Sequence, residues 1–373
     1  MAWEGWVAIV AGVLALVALA LGLAAWRRVR DRRLVGWPDE DRPPGRHVAE
    51  TVARDGTVLA FVANPTKPDV PALKVAIEHA AASQGLGVPL WFETTVEDPG
   101  VGQARTAVAA GADVVVAIGG DGTVRAVAEA LVGTRVPMGI VPLGTGNLLA
   151  RNLDLPVGDA LAAIQVAVEG RDRTIDVGWL HVDRFDDEER ELTDDVRDHL
   201  FLVIAGLGFD AAMVADTDET LKARVGWLAY FVAGFRHLHG ARTRVRVRID
   251  DQPAAGTRLR SILVGNCGRL PGGLTLLPDA VVDDGWLDVA AIDTRAGIAG
   301  WAQLFGEVVL QGVGVRNDLP AKIGRIDHTR ARRVRIVVRG GEYAQVDGEV
   351  VGRVAEVSAR VDPGALVVRV PAG

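Results

Sequence analysis

Cysteine is nearly absent from this sequence, and positive charge is not in excess. Cys267 is the only cysteine among 373 residues, so no disulfide can form within the chain and nothing indicates an oxidising compartment. The formal net charge is −7 at neutral pH. Because nucleic-acid binding needs a strongly positive surface, we expect no nucleic acid as the main partner. A nucleotide bound at a local site is compatible with this charge.

The sequence also lacks two common nucleotide-binding signatures, the Walker loop ending in Gly-Lys-Ser/Thr and the G-x-G-x-x-G turn. It has instead a continuously apolar run, residues 114–118, that leads into Gly119-Gly-Asp-Gly-Thr123. The run is typical of a buried parallel strand, and the spacing after Thr123 is helical. A glycine turn before a helix favours a phosphate site, since free N–H groups there face the anion. The alternative is an ordinary tight loop with Asp121 as helix cap.

A second glycine loop follows the next apolar run. Residues 138–141 read as another short strand, which leads into Pro142-Leu-Gly-Thr-Gly-Asn147 and a helix from Leu148. Loops at the carboxyl ends of neighbouring parallel strands converge on one crevice, where open α/β sheets bind ligands. The two loops together strengthen the prediction of a phosphate site.

The first 33 residues are predicted to anchor the chain in a membrane. Residues 6–26 form an uncharged apolar run of 21 residues, long enough to cross a hydrocarbon core of roughly 30 Å as a helix. Glu4 precedes the run and five arginines follow it within residues 27–33, which predicts a single pass with the rest of the chain in the cytoplasm. The alternatives are a cleaved signal peptide and a buried soluble helix. Residues 34–56 then read as a linker.

Residues 57–173 alternate between strand and helix patterns and predict an α/β domain with a parallel sheet covered on both faces. The predicted strands are residues 58–63, 88–94, 114–118 and 138–141, and the predicted helices are residues 70–84, 101–110, a stretch after Thr123, a stretch from Leu148, and residues 159–168.

Residues 174–373 show short runs of period-two alternation, which predict a mostly β, sandwich-like second domain. The last residues of the chain are candidates to return to the first domain. Residues 183–198 are dense in acids and read as an exposed insertion or disordered loop in preference to a metal site. The most helical stretch of this half is residues 221–238.

One predicted strand of this half, residues 242–248, places four arginines on one face and Thr243, Val245 and Val247 on the other. A solvated outer face explains this pattern. A face that meets anionic lipid near the anchor is the alternative, and residues 330–339 are a candidate extension of it.

Several motifs together closely resemble the diacylglycerol kinase catalytic-domain family, which includes bacterial lipid kinases and the sphingosine and ceramide kinases. The resemblance covers about 310 residues from Thr57 onward, in matching order. It rests on the two glycine loops, Asn64-Pro65, Gly206-Leu-Gly-Phe-Asp-Ala211, Asn266, Gly272-Gly273, Pro278, Asp283-Asp-Gly-Trp-Leu-Asp288 and Val346-Asp-Gly-Glu349.

The resemblance implies an ATP- and Mg²⁺-dependent lipid kinase with its active site in the cleft between the two domains. Asp347 matches the general base that takes the proton from the lipid hydroxyl, and Glu349 matches a residue that assists on the nucleotide side. Asp121 matches a position of the metal and nucleotide network, and Asp284 matches a structural metal site, with the main-chain carbonyls of Val281 and Trp286. The matching nucleotide positions are Asn64, Lys67, Thr95, Gly119, Gly120, Asp121, Gly122, Thr123, Gly144, Thr145, Gly146 and Asn147.

The implied partners are a lipid acceptor in the bilayer and the membrane itself, and a homodimer is left open. The sequence departs from the family pattern at Leu148 and Ala126, where carboxylates are usual, and at Thr66-Lys67-Pro68. A degenerate nucleotide- or lipid-binding protein, or a kinase of a soluble acceptor such as NAD, therefore stays as an alternative. Asp347-Gly348 and Asp284-Gly285 are also ordinary hairpin-turn dipeptides, and Asp210 and Asp288 suit either a cap or a site.

Overall fold

The computed structural model describes residues 57–83, 88–186, 197–208, 242–270, 275–294 and 324–372. The predicted anchor and linker lie outside these residues, as do the predicted helix at 221–238 and most of the acidic stretch at 183–198. Among the helices that are described, none combines the length and apolarity that crossing a membrane requires. All the described residues belong to one compact unit.

The first half is built on four parallel strands, as predicted. β1 (Leu59–Ala63) pairs with β2 (Leu90–Glu93) and β3 (Val114–Gly119), and β3 pairs with β4 (Met138–Pro142). Every residue of β1, β3 and β4 is buried, because helices cover both faces of the sheet. The strands all run in one direction, so their carboxyl ends form a single edge.

Five helices lie within the described part of this half: α1 (Val70–Ser83), α2 (Val101–Ala109), α3 (Asp121–Leu131), α4 (Leu148–Asn152) and α5 (Ala160–Glu169). α3 buries Val124, Val127 and Leu131 on one face, which is the helical spacing that predicted it. It begins at Asp121, earlier than the sequence pattern indicated. The end of the glycine motif is therefore the first turn of the helix.

The second half is antiparallel. Its strands are β5 (Arg171–Phe185), β6 (Asp198–Phe201), β7 (Ile204–Gly208), β8 (Thr243–Ile249), β9 (Ala255–Leu259), β10 (Ser261–Gly265), β11 (Leu287–Thr294), β12 (Gly324–Ala331), β13 (Arg333–Val346) and β14 (Glu349–Val370).

The predicted bounds of the acidic insertion were too wide at both ends. β5 continues to Phe185, which is buried, and β6 already begins at Asp198. The inward-facing side chains of β5 extend past the first acids, so burial on one face extends the strand despite the charges on the other. Asp183 is held there by the hydroxyl of Ser358, which donates to Asp183 Oδ2 at 2.6 Å.

β14 links the parallel and antiparallel parts. It pairs along its length with β13 and β5 in antiparallel fashion, and near its end Val368 lies opposite Met138 of β4 in parallel. Within the described residues, fourteen strands consequently form one mixed sheet. One hydrophobic cluster contains residues of both parts, such as Val115, Val177 and Leu263. The turn where β14 begins is thereby fixed relative to the glycine loops.

The arginine-rich strand has the face pattern that the sequence predicted. In β8, Arg244, Arg246 and Arg248 are exposed, whereas Val245 is buried and packs in a hydrophobic cluster of the second half. β8 pairs with β13 on one side and β9 on the other.

Candidate active site

Four loops lie side by side at the carboxyl edge of the parallel strands. They follow β2, β1, β3 and β4 in that spatial order and contain Thr95, Asn64, the first glycine loop and the second glycine loop. Three inter-strand spacings separate the outer two loops, which corresponds to about 14 Å. This edge gathers all the residues that were predicted to bind nucleotide.

The first glycine loop joins β3 directly to α3. Gly119 is the last residue of the strand, and Gly120 is the N-cap position of the helix without a side-chain cap. A Cβ at Gly119 would lie 2.7 Å from Oγ1 of Thr123, whose side chain is buried. The N–H groups of the first helical turn have no intrahelical partners by geometry, so they are available to an anion.

The two glycine loops touch each other through their backbones. A Cβ at Gly144 would lie 2.8 Å from Cα of Gly120, and a Cβ at Gly146 would lie 2.8 Å from Oδ2 of Asp121. Glycine was expected here so that a phosphate could approach the backbone. Close contact between the two loops is a second reason why glycine is needed at these positions, and the sequence alone did not predict this contact.

Asp121 ties the first loop to the second. Its Oδ2 accepts a hydrogen bond from the N–H of Asn147 at 2.8 Å, and its Oδ1 accepts one from the N–H of Leu148 at 2.6 Å. Burial raises the pKa of Asp121, while these backbone hydrogen bonds and the positive charge of Arg151 act in the opposite direction. Each oxygen accepts one of these bonds and keeps lone-pair capacity toward a cation.

Asn147 fixes the shape of the second loop. It has the left-handed conformation, with φ of 48°, and is buried. Its Oδ1 accepts from the N–H of Gly144 at 2.9 Å, and its Nδ2 donates to the carbonyl of Gly144 at 2.7 Å. Arg151 adds a bond from Nε to the carbonyl of Gly146 at 2.8 Å. These contacts within the chain hold the loop in place, and Thr145 is exposed at its tip.

Asn64, Lys67 and Thr95 lie at the same edge but make local contacts. Asn64 Oδ1 accepts from the N–H of Thr66 at 3.0 Å and from its hydroxyl at 2.7 Å. The N–H of Lys67 donates to the carbonyl of Asn64 at 3.2 Å. Thr95 Oγ1 accepts from the N–H of Asp98 at 3.0 Å, and the Thr95 residue is exposed. Their roles toward a nucleotide stay predictions.

Asp347 and Gly348 form the two-residue turn between β13 and β14. Both have positive φ, 47° and 86°, and Val346 pairs with Glu349 across the turn. The hairpin reading of this dipeptide is therefore confirmed, and Asp347 is well suited to it because aspartate tolerates the left-handed conformation.

The carboxylate of Asp347 is part-buried and held by three backbone N–H groups. Oδ2 accepts from Leu202 at 2.7 Å, and Oδ1 accepts from Val203 and Ile204, each at 2.9 Å. Burial raises the pKa of Asp347 to about 6, although the three hydrogen bonds and the charge of Arg125 act to lower it. The carboxyl group therefore changes charge just below neutral pH.

The turn containing Asp347 lies against the first glycine loop. Glu349 forms an ion pair with Arg125 of α3, and a Cβ at Gly122 would lie 2.8 Å from Oε1 of Glu349. This contact joins the start of β14 to the first turn of α3. It brings Asp347, Glu349 and the phosphate-type loop into one site, although they are more than 220 residues apart in sequence.

Two arginines at this site, Arg125 and Arg151, are not among the site residues predicted from the sequence. Arg125 lies four residues after Asp121, and Arg151 lies four residues after Asn147, so each extends one helical turn from a selected residue. The Arg125 side chain is only 16% exposed, and its Nε is buried without a hydrogen-bond partner in the described part of the chain. Their i, i+4 spacing from Asp121 and Asn147 is the feature of the sequence from which these two arginines could have been predicted.

The predicted structural metal position lies at the opposite edge of the strands, close to the segment of β14 whose Ala365 carbonyl accepts from Gly133 beyond the far end of α3. Asp284 accepts from the N–H of Trp286 at 3.0 Å and forms an ion pair with Arg330. The adjacent Gly285 donates its N–H to one carboxylate oxygen of Asp176. The other oxygen of Asp176 accepts from the N–H of Gly364, which lies within β14. Asp284-Gly285 belongs to a loop before β11 and not to a two-residue hairpin, so the hairpin reading was wrong here.

No group of three or more histidine, cysteine, aspartate or glutamate side chains is placed to hold a metal ion within the described ranges. The guanidinium of Arg330 competes with a cation for Asp284, and the Val281 side chain is exposed. The metal role of Asp284 with the carbonyls of Val281 and Trp286 stays a prediction.

Asp288 is a buried carboxyl group of β11. Its pKa is raised by burial and by the nearby charge of Asp279. Asp210, the other aspartate with an open role, lies outside the described residues.

Comparison with known proteins identifies matches over nearly all of the globular part. Residues 59–180 match the diacylglycerol kinase catalytic domain, and residues 203–370 match the YegS C-terminal NAD kinase beta sandwich-like domain. A Pseudomonas aeruginosa protein named "Probable lipid kinase YegS-like" is 35% identical over 305 residues, which are 79% of this chain and 88% of that protein. A Mycobacterium tuberculosis protein named "Diacylglycerol kinase" is 33% identical over 245 residues, covering 65% of this chain and 72% of the relative.

A solved structure agrees on the fold. The chain is similar to the crystal structure of a diacylglycerol kinase from Bacillus anthracis with a TM-score of 0.62 and 19% sequence identity, covering 85% of this chain and 98% of the other.

Proposed function

Because the chain belongs to the family of YegS-like lipid kinases and diacylglycerol kinases, we propose that it transfers the γ-phosphate of ATP to a hydroxyl group of diacylglycerol or a related lipid. Use of ATP follows from membership of a kinase family. The observation that carries the proposal is the convergence of both glycine loops and the Asp347 turn at the carboxyl edge of one parallel sheet.

The ATP phosphates would lie on the first turn of α3. This turn combines unpaired N–H groups, the positive end of the helix dipole and a glycine backbone that a phosphate can approach. The second glycine loop is already held in place by Asp121 and Asn147, so little ordering is needed when the nucleotide binds. Asn64, Lys67 and Thr95 would contact the remainder of the nucleotide along the same edge.

Asp347 is proposed as the general base. Its Oδ2 accepts one N–H bond while Oδ1 accepts two, so Oδ2 retains a lone pair that can receive the proton of a lipid hydroxyl. With a pKa of about 6, the group is mostly ionised at neutral pH and still basic enough to take part in proton transfer.

Arg125 is proposed to face the transferred phosphoryl group. Glu349 pairs with the guanidinium, and the positive charge of Arg125 also acts on the carboxylate of Asp347, so it lies within the proposed site. A positive charge in this position offsets the negative charge that spreads over the phosphoryl oxygens during transfer. A magnesium ion bound with ATP would be held by Asp121 and phosphate oxygens and would neutralise further charge.

Residues 1–33 are proposed as a single-pass anchor that leaves the catalytic part in the cytoplasm. A tethered enzyme meets a bilayer acceptor at a high effective concentration, which suits a lipid kinase. The test is extraction of membranes at alkaline pH. The full chain is expected to stay in the membrane pellet, and its release into the supernatant would contradict the anchor.

The main test is phosphate transfer from labelled ATP to vesicles that contain diacylglycerol, with NAD as a soluble control acceptor. We expect phosphorylated lipid and no phosphorylated NAD. Transfer to NAD alone would favour a soluble acceptor. Stabilisation of the chain by ATP without turnover on any lipid of a mixed panel would instead indicate a binding protein without activity.

A further inference from the structure

An open groove in the second half of the molecule is lined by five arginines and no carboxylate. It has a volume of about 890 Å³ and is lined by residues of β5, β8, β9 and the middle of β13. The arginines are Arg184, Arg244, Arg246, Arg258 and Arg339, and all five are exposed. In a chain with a net charge of −7, this is a strong local concentration of positive charge.

These five arginines differ from other arginines on the same sheet. Arg333 pairs with Asp251, Arg335 pairs with Glu356, and Arg353 pairs with Asp186. Glu356 of β14, which lies opposite Arg184 in the strand register, is already engaged by Arg335. Within the described residues, the guanidinium groups of the five groove arginines make no ion pair or hydrogen bond.

The strand register sets like charges directly opposite each other. Arg244 of β8 lies opposite Arg258 of β9, and Arg248 of β8 lies opposite Arg335 of β13. Like charges in facing positions destabilise an antiparallel pair. In the Arg248–Arg335 case, Glu356 relieves the repulsion, but no described carboxylate does so for Arg244 and Arg258. An anionic ligand that binds between them would remove this conflict.

We infer that the groove docks the headgroups of anionic phospholipids, so that the second half of the molecule lies on the bilayer surface. A cluster of this number of exposed basic side chains is the electrostatic feature that binds anionic leaflets. The choice of a bilayer rests on the proposed function, because the acceptor lipid lies there.

A smaller groove on the same sheet provides the contrast. It has a volume of about 300 Å³ and contains Arg248, Arg333, Arg335 and Arg360, but Asp250 and Asp251 also line it. Two of these arginines are paired with carboxylates, Arg333 with Asp251 and Arg335 with Glu356, so this groove is expected to attract an anionic surface less strongly. Arg333→Gln is therefore a matched control, since it removes an exposed arginine of the same sheet from a groove that has acids.

The experiment is hydrogen–deuterium exchange on the full chain reconstituted in nanodiscs. One set contains only phosphatidylcholine, and the other contains about one third phosphatidylglycerol. Backbone amides of β8 and β9 are expected to exchange several-fold more slowly in the anionic discs, and half-molar salt should remove the difference by screening. The Arg244→Gln, Arg258→Gln double variant should lose this protection, and Arg333→Gln should keep it.

Two controls make the result decisive. The double variant removes a like-charge pair from exposed positions, so its thermal melting temperature is expected to be unchanged or higher than that of the wild type. The same exchange measurement in neutral discs with added inorganic phosphate, or with added RNA, tests other sources of phosphate.

Equal exchange in neutral and anionic discs would overturn the inference. Protection of the same amides by free phosphate or RNA, to the extent seen with phosphatidylglycerol, would also overturn it. The readout requires neither ATP nor turnover, so a chain that phosphorylates no lipid can still show docking. Conversely, an active kinase whose β8 and β9 show no lipid-dependent protection would retain the proposed function and lose this inference.

Discussion

Two Asp-Gly dipeptides that look alike in the sequence have different surroundings in the fold. Asp347-Gly348 forms a tight hairpin turn at the glycine loops, where three backbone N–H groups hold the carboxylate and Arg125 lies nearby. Asp284-Gly285 lies in a loop at the other edge of the parallel strands, where Arg330 pairs with the carboxylate. The comparison teaches that the dipeptide specifies a local backbone shape, whereas its neighbours determine the chemistry available to the carboxylate.

The largest expected effect is that of Asp347→Asn. We expect kcat for lipid phosphorylation to fall by about 10³-fold, because general-base catalysis contributes roughly 10²–10⁴-fold. The matched variant Asp284→Asn is expected to change kcat by less than about threefold. Steady-state kinetics with saturating ATP measure both.

Asparagine at 347 also disturbs the contacts to Leu202, Val203 and Ile204, since its NH₂ group cannot accept their hydrogen bonds. Stabilisation of the variant by ATP is therefore the control for intact nucleotide binding. Equal kcat for wild type and Asp347→Asn would remove Asp347 as base. A drop of 10³-fold in Asp284→Asn would reverse the comparison.

Replacing the arginine beside each dipeptide is expected to have the next largest effect. Arg125→Gln should lower kcat by about 10²-fold, with a smaller change in the KM for lipid, because it removes a charge from the site of phosphoryl transfer. Arg330→Gln, which frees Asp284 from its partner, should leave kcat within about threefold. The two variants are compared by the same kinetic assay, and similar losses in both would show that neither arginine acts at the reacting phosphate.

Alanine substitutions of one glycine in the second glycine loop and of one glycine in the loop with Asp284 compare how tightly the two loops are packed. Gly144→Ala places a Cβ 2.8 Å from the Gly120 backbone, and we expect the free energy of unfolding to fall by about 2 kcal/mol. Gly285 has φ of 76°, but a Cβ there meets nothing closer than 3.9 Å, so Gly285→Ala is expected to cost about 1 kcal/mol through backbone strain alone. Urea unfolding measures both, and a greater loss in Gly285→Ala would contradict the loop contact.

The pH dependence of catalysis is expected to show the smallest effect of the series. Burial raises the pKa of Asp347 to about 6, and only the ionised form can accept a proton. We therefore expect kcat/KM to rise with pH through about 6, with a value at pH 5 about tenfold below the plateau. Asp284→Asn should follow the same profile. A profile that is flat from pH 5 to 7 would contradict the assignment of Asp347.

The same ionisation acts on stability with the opposite sign. Because the folded-state pKa of Asp347 lies above its ordinary value, the protonated form favours the folded state, and this contribution is lost as pH rises through about 6. Unfolding measurements at pH 5 and 7 should show a part of the pH dependence that disappears in Asp347→Asn and remains in Asp284→Asn.

Much of the fold could be predicted because its signals are local. The apolar runs at β1, β3 and β4 specify buried parallel strands, and the spacing of Val124, Val127 and Leu131 specifies one face of α3. The end of β5 could not be read from the sequence, because the acids after Val182 resemble a loop while Phe185 is buried in the core.

The sequence by itself determined which residue types can form the site: two glycine loops after apolar strands, an Asp-Gly turn, and the family to which their order belongs. Tertiary structure alone decided that Glu349 meets Arg125, that Gly120 and Gly144 touch, and that Asp284 lies at the other edge. The physical reason is that glycine spacing and turn propensity act over a few residues. Contacts between segments hundreds of residues apart depend on how β14 pairs with β13, β5 and β4.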